Sequence, residues 1–516
     1  MTHLLSWHRW AGIVALGGVL LWATSGVLHP IMARMQPRPA TLLVAADVPL
    51  PAAALPLAEV LARHGRDAIV DARPVALDGV AHYQVTRVDA AEREYYAVLD
   101  GARAADGDRR YAESLARRFV GDTAAAVASA RLQTRFDGEY ADVNRLLPVW
   151  RIELDRADGM RVFVDTGTDR LGTLVDRTKR MSSTLFGALH RWDWLDEAAP
   201  KARLALLATL LVAALGATLG GLWLFLARLR QPGRRGLRRV HRAFGATLSF
   251  VALMFFGSGL YHLLHVGLRG DPAQRAVAVP PRFDPASLRI GFPAAAGHAG
   301  IGAPARISLA EIDGEVFYRV QPPTERGPQV TSAGHGGHAS HAPVGKATPS
   351  QVAFAAPVYV SARDGAILPD GERRYAASIA RRVTGTETFA TITPVTRFAG
   401  EYGFVFKRLP VQRVPLADSD GRTAYVDTAD GVVAAVIDDA DRREGWFFAN
   451  VHKHDWLVPL IGRDARDAVA AVLALLVGAT AAMGGVLFAR RRRRDGPSVG
   501  ARCASRPDRL RRPSPP

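Results

Sequence analysis

Four runs of apolar residues, at roughly 10–28, 203–227, 243–265 and 467–489, decide what this 516-residue chain can fold into. A helix needs about 20 apolar residues to cross the hydrocarbon core of a bilayer, and each run comes close to that length. The second and fourth are almost purely Leu, Ala, Val and Gly. Backbone in hydrocarbon has to satisfy its own polar groups, so the runs are expected to be spanning helices. They divide the chain into a first span (1–29), an outer segment (30–200), a second span (201–228), a basic loop (229–242), a third span (243–265), a second outer segment (266–465), a fourth span (466–489) and an Arg/Pro-rich tail (490–516).

The surplus of basic residues fixes the expected orientation. Seven arginines (228, 230, 234, 235, 238, 239 and 242) crowd the stretch between the second and third spans, and Arg490 to Arg494 follow the fourth. Short basic segments beside spans stay in the cytoplasm. Both termini are therefore expected inside and the two long segments outside, on the periplasmic face of a bacterial inner membrane. The basic clusters sit where anionic lipid headgroups are the natural partner, which argues against a nucleic-acid role. The first run is longer than the 7–15-residue core of a cleavable signal, and it has a counterpart in the third span, so it is expected to be a retained anchor. The one cysteine, Cys503, lies in the tail. Disulfides, Cys-x-x-Cys-His haem attachment and cysteine-ligated iron–sulfur clusters are thereby excluded.

The two halves repeat one another. Gly107-Asp108-Arg109-Arg110-Tyr111-Ala112 recurs as Gly371-Glu372-Arg373-Arg374-Tyr375-Ala376, and Arg135-Phe136-Asp137-Gly138-Glu139-Tyr140 as Arg397-Phe398-Ala399-Gly400-Glu401-Tyr402. Leu147-Pro148-Val149 and Val164-Asp165-Thr166 return as Leu409-Pro410-Val411 and Val426-Asp427-Thr428. Matched blocks at near-constant offset indicate internal duplication. Each copy is expected to be α+β, with helices over 57–64 and 111–119, strands over 83–88, 95–99, 150–154 and 160–164, and second-copy strands over 316–320, 358–360 and 424–426. Asp165 and Asp427 are expected to form turns that close the last hairpin.

Histidines recur in the same places of both copies. His8 and His29 are 21 residues apart, as are His241 and His262; His190 and His452 stand in matching His-x-x-Asp-Trp-Leu blocks ahead of the even-numbered spans. Twenty-one helical residues rise about 31 Å and fall about 60° short of whole turns. The paired imidazoles would therefore lie at opposite membrane faces on one broad side of a helix. Two such helices would hold one b-type haem between His8 and His241 near the cytoplasm. A second would lie near the outer surface between two of His29, His190, His262 and His452. Transmembrane electron transfer is the leading expectation. Arg9, Arg242 and Arg191 are placed to neutralise haem propionates or to serve as plain interfacial charges. Glycines and serines of the first and third spans suit either close helix packing or room for a flat macrocycle. The second outer segment carries an insertion, 331–346, whose His335, His338 and His341 are candidates for weak divalent metal binding.

In this combination of His-Arg spans, Leu-Pro-Val strands and His-x-x-Asp-Trp-Leu blocks, the chain resembles PepSY-associated transmembrane proteins from His8 to about Arg490. That group includes inner-membrane reductases of siderophore iron. The resemblance implies a pseudo-twofold four-helix bundle under two periplasmic α+β PepSY-like domains, two non-covalent haems, and a periplasmic ferric chelate as acceptor. Its helix-start histidines correspond to His8 and His241, and those ahead of the even spans to His190 and His452. No dinucleotide-binding fingerprint is present, so the electron donor would be a separate protein or a membrane quinol. Two further expectations stay open: a membrane-anchored PepSY binding or regulatory protein without redox activity, and a periplasmic metal-handling protein.

Overall fold

The computed structural model describes the chain except residues 1, 42–49, 67, 89, 197, 228–234, 274, 276–280, 324–353, 404–405 and 496–516. Among the described residues four helices are long and apolar enough to cross a membrane: Thr2–Arg34, Pro200–Leu226, Ser249–Arg269 and Arg463–Asp495. The chain is a multi-pass membrane protein. The first helix packs against the second and fourth, and the second also against the third. A short helix leading into the third, Leu237–Thr247, leans on the fourth and closes the ring. Ala15, Val19, Leu211, Ala214, Ala252, Phe256 and Val477 fill its centre.

Close helix approaches are made by glycines of the even-numbered spans and by Gly267 of the third, where a β-carbon would lie 2.8 Å from Leu204. A β-carbon on Gly216 would lie 2.7 Å from the Trp7 ring, on Gly478 2.7 Å from Ala23, and on Gly485 2.8 Å from Leu16. In the first and third spans Gly17 has nothing within 4 Å, and Gly12, Gly245 and Gly257 meet only atoms 4.0 Å away. The first span is one helix from His8 to His29, as its periodicity predicts. The third departs from that pattern by bending at Leu248. Ser249 Oγ donates to the Ala246 carbonyl at 2.8 Å, a back-bond of the kind that bends helices.

Both long segments rise from one end of the bundle. In the first, an antiparallel sheet of Asp71–Leu77, Val80–Thr86 and Glu94–Ala97 is followed by helix Gly107–Val120. A second antiparallel sheet follows, of Val127–Gln133, Val149–Leu154, Arg161–Asp165 and Arg170–Val175. The second segment repeats this order, with strands Arg306–Ile312, Glu315–Gln321 and Val358–Ser361, helix Gly371–Thr384, and a four-stranded sheet ending at Val432–Ile437. Tight hairpins start both copies: Asp78-Gly79 and Asp313-Gly314 all have positive φ, the requirement of a two-residue turn that matches strand twist.

The repeated blocks are structural. A β-carbon on Gly107 would lie 2.8 Å from Tyr95, and one on Gly371 2.6 Å from Tyr359, so each helix start needs glycine beneath a tyrosine ring. Asp108 is fully buried and accepts from Tyr95 (3.0 Å), Trp150 (2.8 Å) and Thr166 (2.6 Å). Glu372 does the same for Tyr359 (2.6 Å), Gln412 (3.1 Å) and Thr428 (2.6 Å). Asp165 and Asp427 do close turns, accepting from the Gly167 and Ala429 amides, and both also take part in buried ion pairs.

The two segments are not independent lobes. The first sheet of each copy buries one face in its own half and gives the other to a single shared core, with Leu61, Tyr83 and Tyr96 from one copy and Phe292, Leu309 and Tyr318 from the other. An ionic knot reinforces the join. Arg170 reaches across to Asp427 and Asp430, which Arg408 also binds. Burial pushes the Asp427 carboxyl up, but Arg170 and Arg408 win and hold it well below the usual carboxylate range.

Candidate functional site

Each copy ends in a helix that runs into a π-turn against a spanning helix. Arg177–Phe186 passes into Gly187–Arg191 and packs on the first span; Asp439–Phe447 passes into Phe448–His452 and packs on the third. The wider turn swings His190 and His452 inward, and π-bulges often mark functional positions.

At the far end of the bundle His8 and His241 come together, with ring centroids 6.4 Å apart. Each is tied to the even span beside it. His8 Nδ1 donates to the Ala217 carbonyl at 2.8 Å and His241 Nδ1 to the Thr480 carbonyl at 3.1 Å. A proton fixed on Nδ1 leaves the lone pair on Nε2, the form in which imidazole binds metals. One turn beyond each carbonyl lies a glycine against the ring. A β-carbon on Gly221 would meet His8 Cε1 at 2.9 Å, and one on Gly484 would meet His241 Cε1 at 3.2 Å.

The other four predicted histidines gather at the end that carries the extramembrane body. His190 Nδ1 lies 2.8 Å from Ser25 Oγ, and His452 Nδ1 2.9 Å from Ser258 Oγ. Both hydroxyls spend their proton on a carbonyl of their own helix, Trp22 and Met254, so each accepts from the imidazole. Nε2 again keeps its lone pair. His190 stacks on Phe186 (4.8 Å) and His452 on Phe448 (4.7 Å), and each phenyl ring also packs on the odd-span histidine, His29 at 5.5 Å and His262 at 4.2 Å. His190 lies within electrostatic reach of His29 and His262, and His452 of His190 and His262. His190 and His452 belong to the turns and not to the spans. Burial lowers the first to about 4 and the second well below its ordinary value, so both imidazoles are neutral at physiological pH.

The symmetry of the residues reaches further than the histidines, and it also breaks. His262 Nδ1 donates to Glu444 at 2.7 Å, and His265 Nε2 pairs with Asp441 at 2.9 Å, while Arg275 holds the other oxygen of Asp441. Neither carboxylate has a counterpart in the first copy, where Ser182 and Lys179 stand. His454 is 4% exposed, with Nδ1 on the His452 carbonyl and Nε2 buried without a hydrogen-bond partner. The sequence offered no periodic signal for Glu444, Asp441 or His454. Of the proposed propionate partners, Arg191 pairs with Asp193 and Arg242 lies over the Phe225 ring.

His335, His338 and His341 lie outside the described residues. Among the described residues no group of three or more His, Cys, Asp or Glu side chains is arranged to hold a metal ion. Pairs of imidazoles are what the bundle offers. A metal–nitrogen bond of about 2 Å on each side of one metal places facing imidazole centroids roughly 6 Å apart. The His8–His241 spacing fits that donor set. The chain matches no family model, and no curated protein sequence is similar to it.

Proposed function

We propose that this chain is a bacterial inner-membrane electron-transfer protein that holds two b-type haems and passes electrons to a ferric chelate of the siderophore class at the periplasmic face. The observation that carries this reading is the inner pair: two imidazoles 6.4 Å apart, each with Nδ1 bound to a backbone carbonyl and Nε2 left for iron. The matching pair at the other end, His190 and His452, is tied back by serines in the same way and supplies the second site. His29 and His262 flank it through Phe186 and Phe448.

His8 with His241, and His190 with His452, would hold the haems, and bound haem would supply a one-electron iron couple. The chain's own residues do the rest. Ala217, Thr480, Ser25 and Ser258 fix the four rings and their tautomers. Gly221 and Gly484 leave the inner rings the room a β-carbon would take, and the apolar bundle excludes water between the two ends. The arginines beside the second, third and fourth spans support an orientation with both termini in the cytoplasm. The extramembrane body, read as two fused PepSY-like repeats, would then lie in the periplasm and receive the ferric chelate. Ferric chelators hold Fe(III) more tightly than Fe(II), so delivery of one electron releases the metal.

A dithionite-reduced minus air-oxidised spectrum of the purified protein, with a pyridine haemochrome count, tests the proposal. Two b haems per chain are expected, with one lost in His8→Ala or His241→Ala and the other in His190→Ala or His452→Ala. A flat spectrum from haem-replete cells would overturn it and leave a PepSY binding or regulatory protein.

A further inference from the structure

The acids that tie down the last helix of the second copy are missing from the first, and a cation stands in place of one of them. Asp441, held between His265 and Arg275, is matched by Lys179. The same change of sign recurs where the copies cross. Arg145 of the first copy meets Asp271 at 2.7 Å, while its match in the second, Lys407, lies within electrostatic reach of Lys179 and Arg145. Two half-buried lysines, one from each copy, therefore come together beside the helix Arg177–Phe186. Burial lowers Lys179 to about 8 against the pull of Asp176, and burial with the two neighbouring cations lowers Lys407 to about 7.

A cleft of about 210 Å³ opens at this place. Lys179, Arg180, Ser183 and Thr184 line it from one face of the helix, and Glu139 lines it from the loop opposite. Arg161 binds both oxygens of Glu139, at 2.9 and 2.7 Å, so that carboxylate leaves the positive charge in excess. Lys179 gives two of its three N–H donors to neutral acceptors, Thr173 Oγ1 at 2.6 Å and the Leu174 carbonyl at 2.8 Å, and keeps the third. Ammonium and guanidinium groups beside two hydroxyls form a donor set for an oxyanion. The volume is below that of a site for a whole drug-sized ligand and suits one arm of a larger one. Ser183 stands one turn, about 4.5 Å, ahead of Phe186. The Phe186 ring lies against both His29 and His190, so a ligand held here reaches the outer imidazoles. We infer that this cleft grips a carboxylate arm of the ferric chelate, and that the chelate this chain takes is an anionic, carboxylate-bearing one. The inference rests on the electron-transfer reading and names the substrate class of its outer site. A negatively charged complex is drawn to Lys179, Arg180 and Lys407, whereas a cationic hydroxamate complex is repelled by them.

Binding can be read without turnover, because gallium(III) copies the charge and size of Fe(III) and accepts no electron. The full chain in a neutral detergent would be titrated calorimetrically with gallium(III) citrate. Saturable binding is expected. It should weaken tenfold or more in Lys179→Asp, which installs the residue of the second copy, and in Lys407→Met. Size-exclusion elution and the haem spectrum should match wild type in both. Gallium desferrioxamine B, a cationic hydroxamate complex, should bind at least tenfold more weakly than the citrate complex. Equal binding of the two complexes, or citrate binding unchanged in both variants, would overturn the inference. Loss of the binding when phosphatidylglycerol is added to the micelles would assign the cleft to a lipid phosphate and overturn it too. No saturable binding by protein with a normal haem spectrum would overturn the site while leaving the electron-transfer reading intact. Lysine-dependent binding by protein that takes up no haem would support the cleft and overturn the electron-transfer reading instead.

Discussion

A methyl group added at Gly221 tests whether the inner histidine pair is a metal-binding pair or a packing accident. It would lie 2.9 Å from His8 Cε1, against 3.2 Å for a methyl on Gly484 facing His241 Cε1, while Gly17 has nothing within 4 Å. Relaxed carbon–carbon contact is about 3.5–4.0 Å. The His8 ring would therefore retreat by roughly 0.6 Å or more and strain its bond to Ala217. Overpacking of this size costs about 1–3 kcal/mol, and about 1.4 kcal/mol is tenfold in an equilibrium. Gly221→Ala should weaken haem retention at the inner site roughly 5- to 150-fold, Gly484→Ala less, and Gly17→Ala not at all. The assay is transfer of haem from the purified protein to excess apomyoglobin, with haem per chain counted by pyridine haemochrome. If Gly17→Ala loses haem as fast as Gly221→Ala, or if Gly221→Ala retains it fully, the two rings do not hold the inner haem in the arrangement described.

Three other outcomes follow from the extramembrane body. Asp108→Ala orphans the donors of Tyr95, Trp150 and Thr166 and should cost about 3 kcal/mol or more, read as a lower thermal midpoint in detergent; an unchanged midpoint contradicts the role given to that carboxylate. Arg170→Met leaves Asp427 and Asp430 buried beside Arg408 alone and should cost about 3–5 kcal/mol, part of which Asp430→Asn in the same chain restores; no restoration would contradict the ionic knot. Burial lowers Lys179 to about 8 and Lys407 to about 7. From those values up to about 10.4 the unfolded chain binds more protons than the folded one, so stability rises with pH across that window, by at most about 1.4 kcal/mol per unit for each lysine. Thermal unfolding at pH 7 and 9.5 checks the sign, and a lower midpoint at 9.5 contradicts it.

The parts of this fold that are local were legible in the sequence. Spanning helices announce themselves by length, and the duplication by blocks such as Gly-Asp/Glu-Arg-Arg-Tyr. The histidines stood out because they recur at one spacing in both copies. What those blocks do was not legible: Asp108 and Glu372 are matched because each gathers three buried donors from distant strands, which no local pattern reveals. The bend at Leu248 depends on one serine back-bond inside an otherwise regular apolar run. The shared core was hidden because the first sheet of each copy is apolar on both faces, and a single copy does not say what covers the second face. Glu444 and Asp441 escaped notice because their histidine partners are 182 and 176 residues away, and the first copy has neither acid.

Electrons are proposed to cross the membrane through this chain. Proteoliposomes containing the haem-loaded protein, with ferricyanide trapped inside and dithionite added outside, test it most directly. The trapped oxidant should be bleached only in vesicles holding the protein, and His8→Ala, which retains the second haem, should abolish the transfer. Bleaching at the same rate in His8→Ala vesicles, or none with both haems present and reduced, would contradict it.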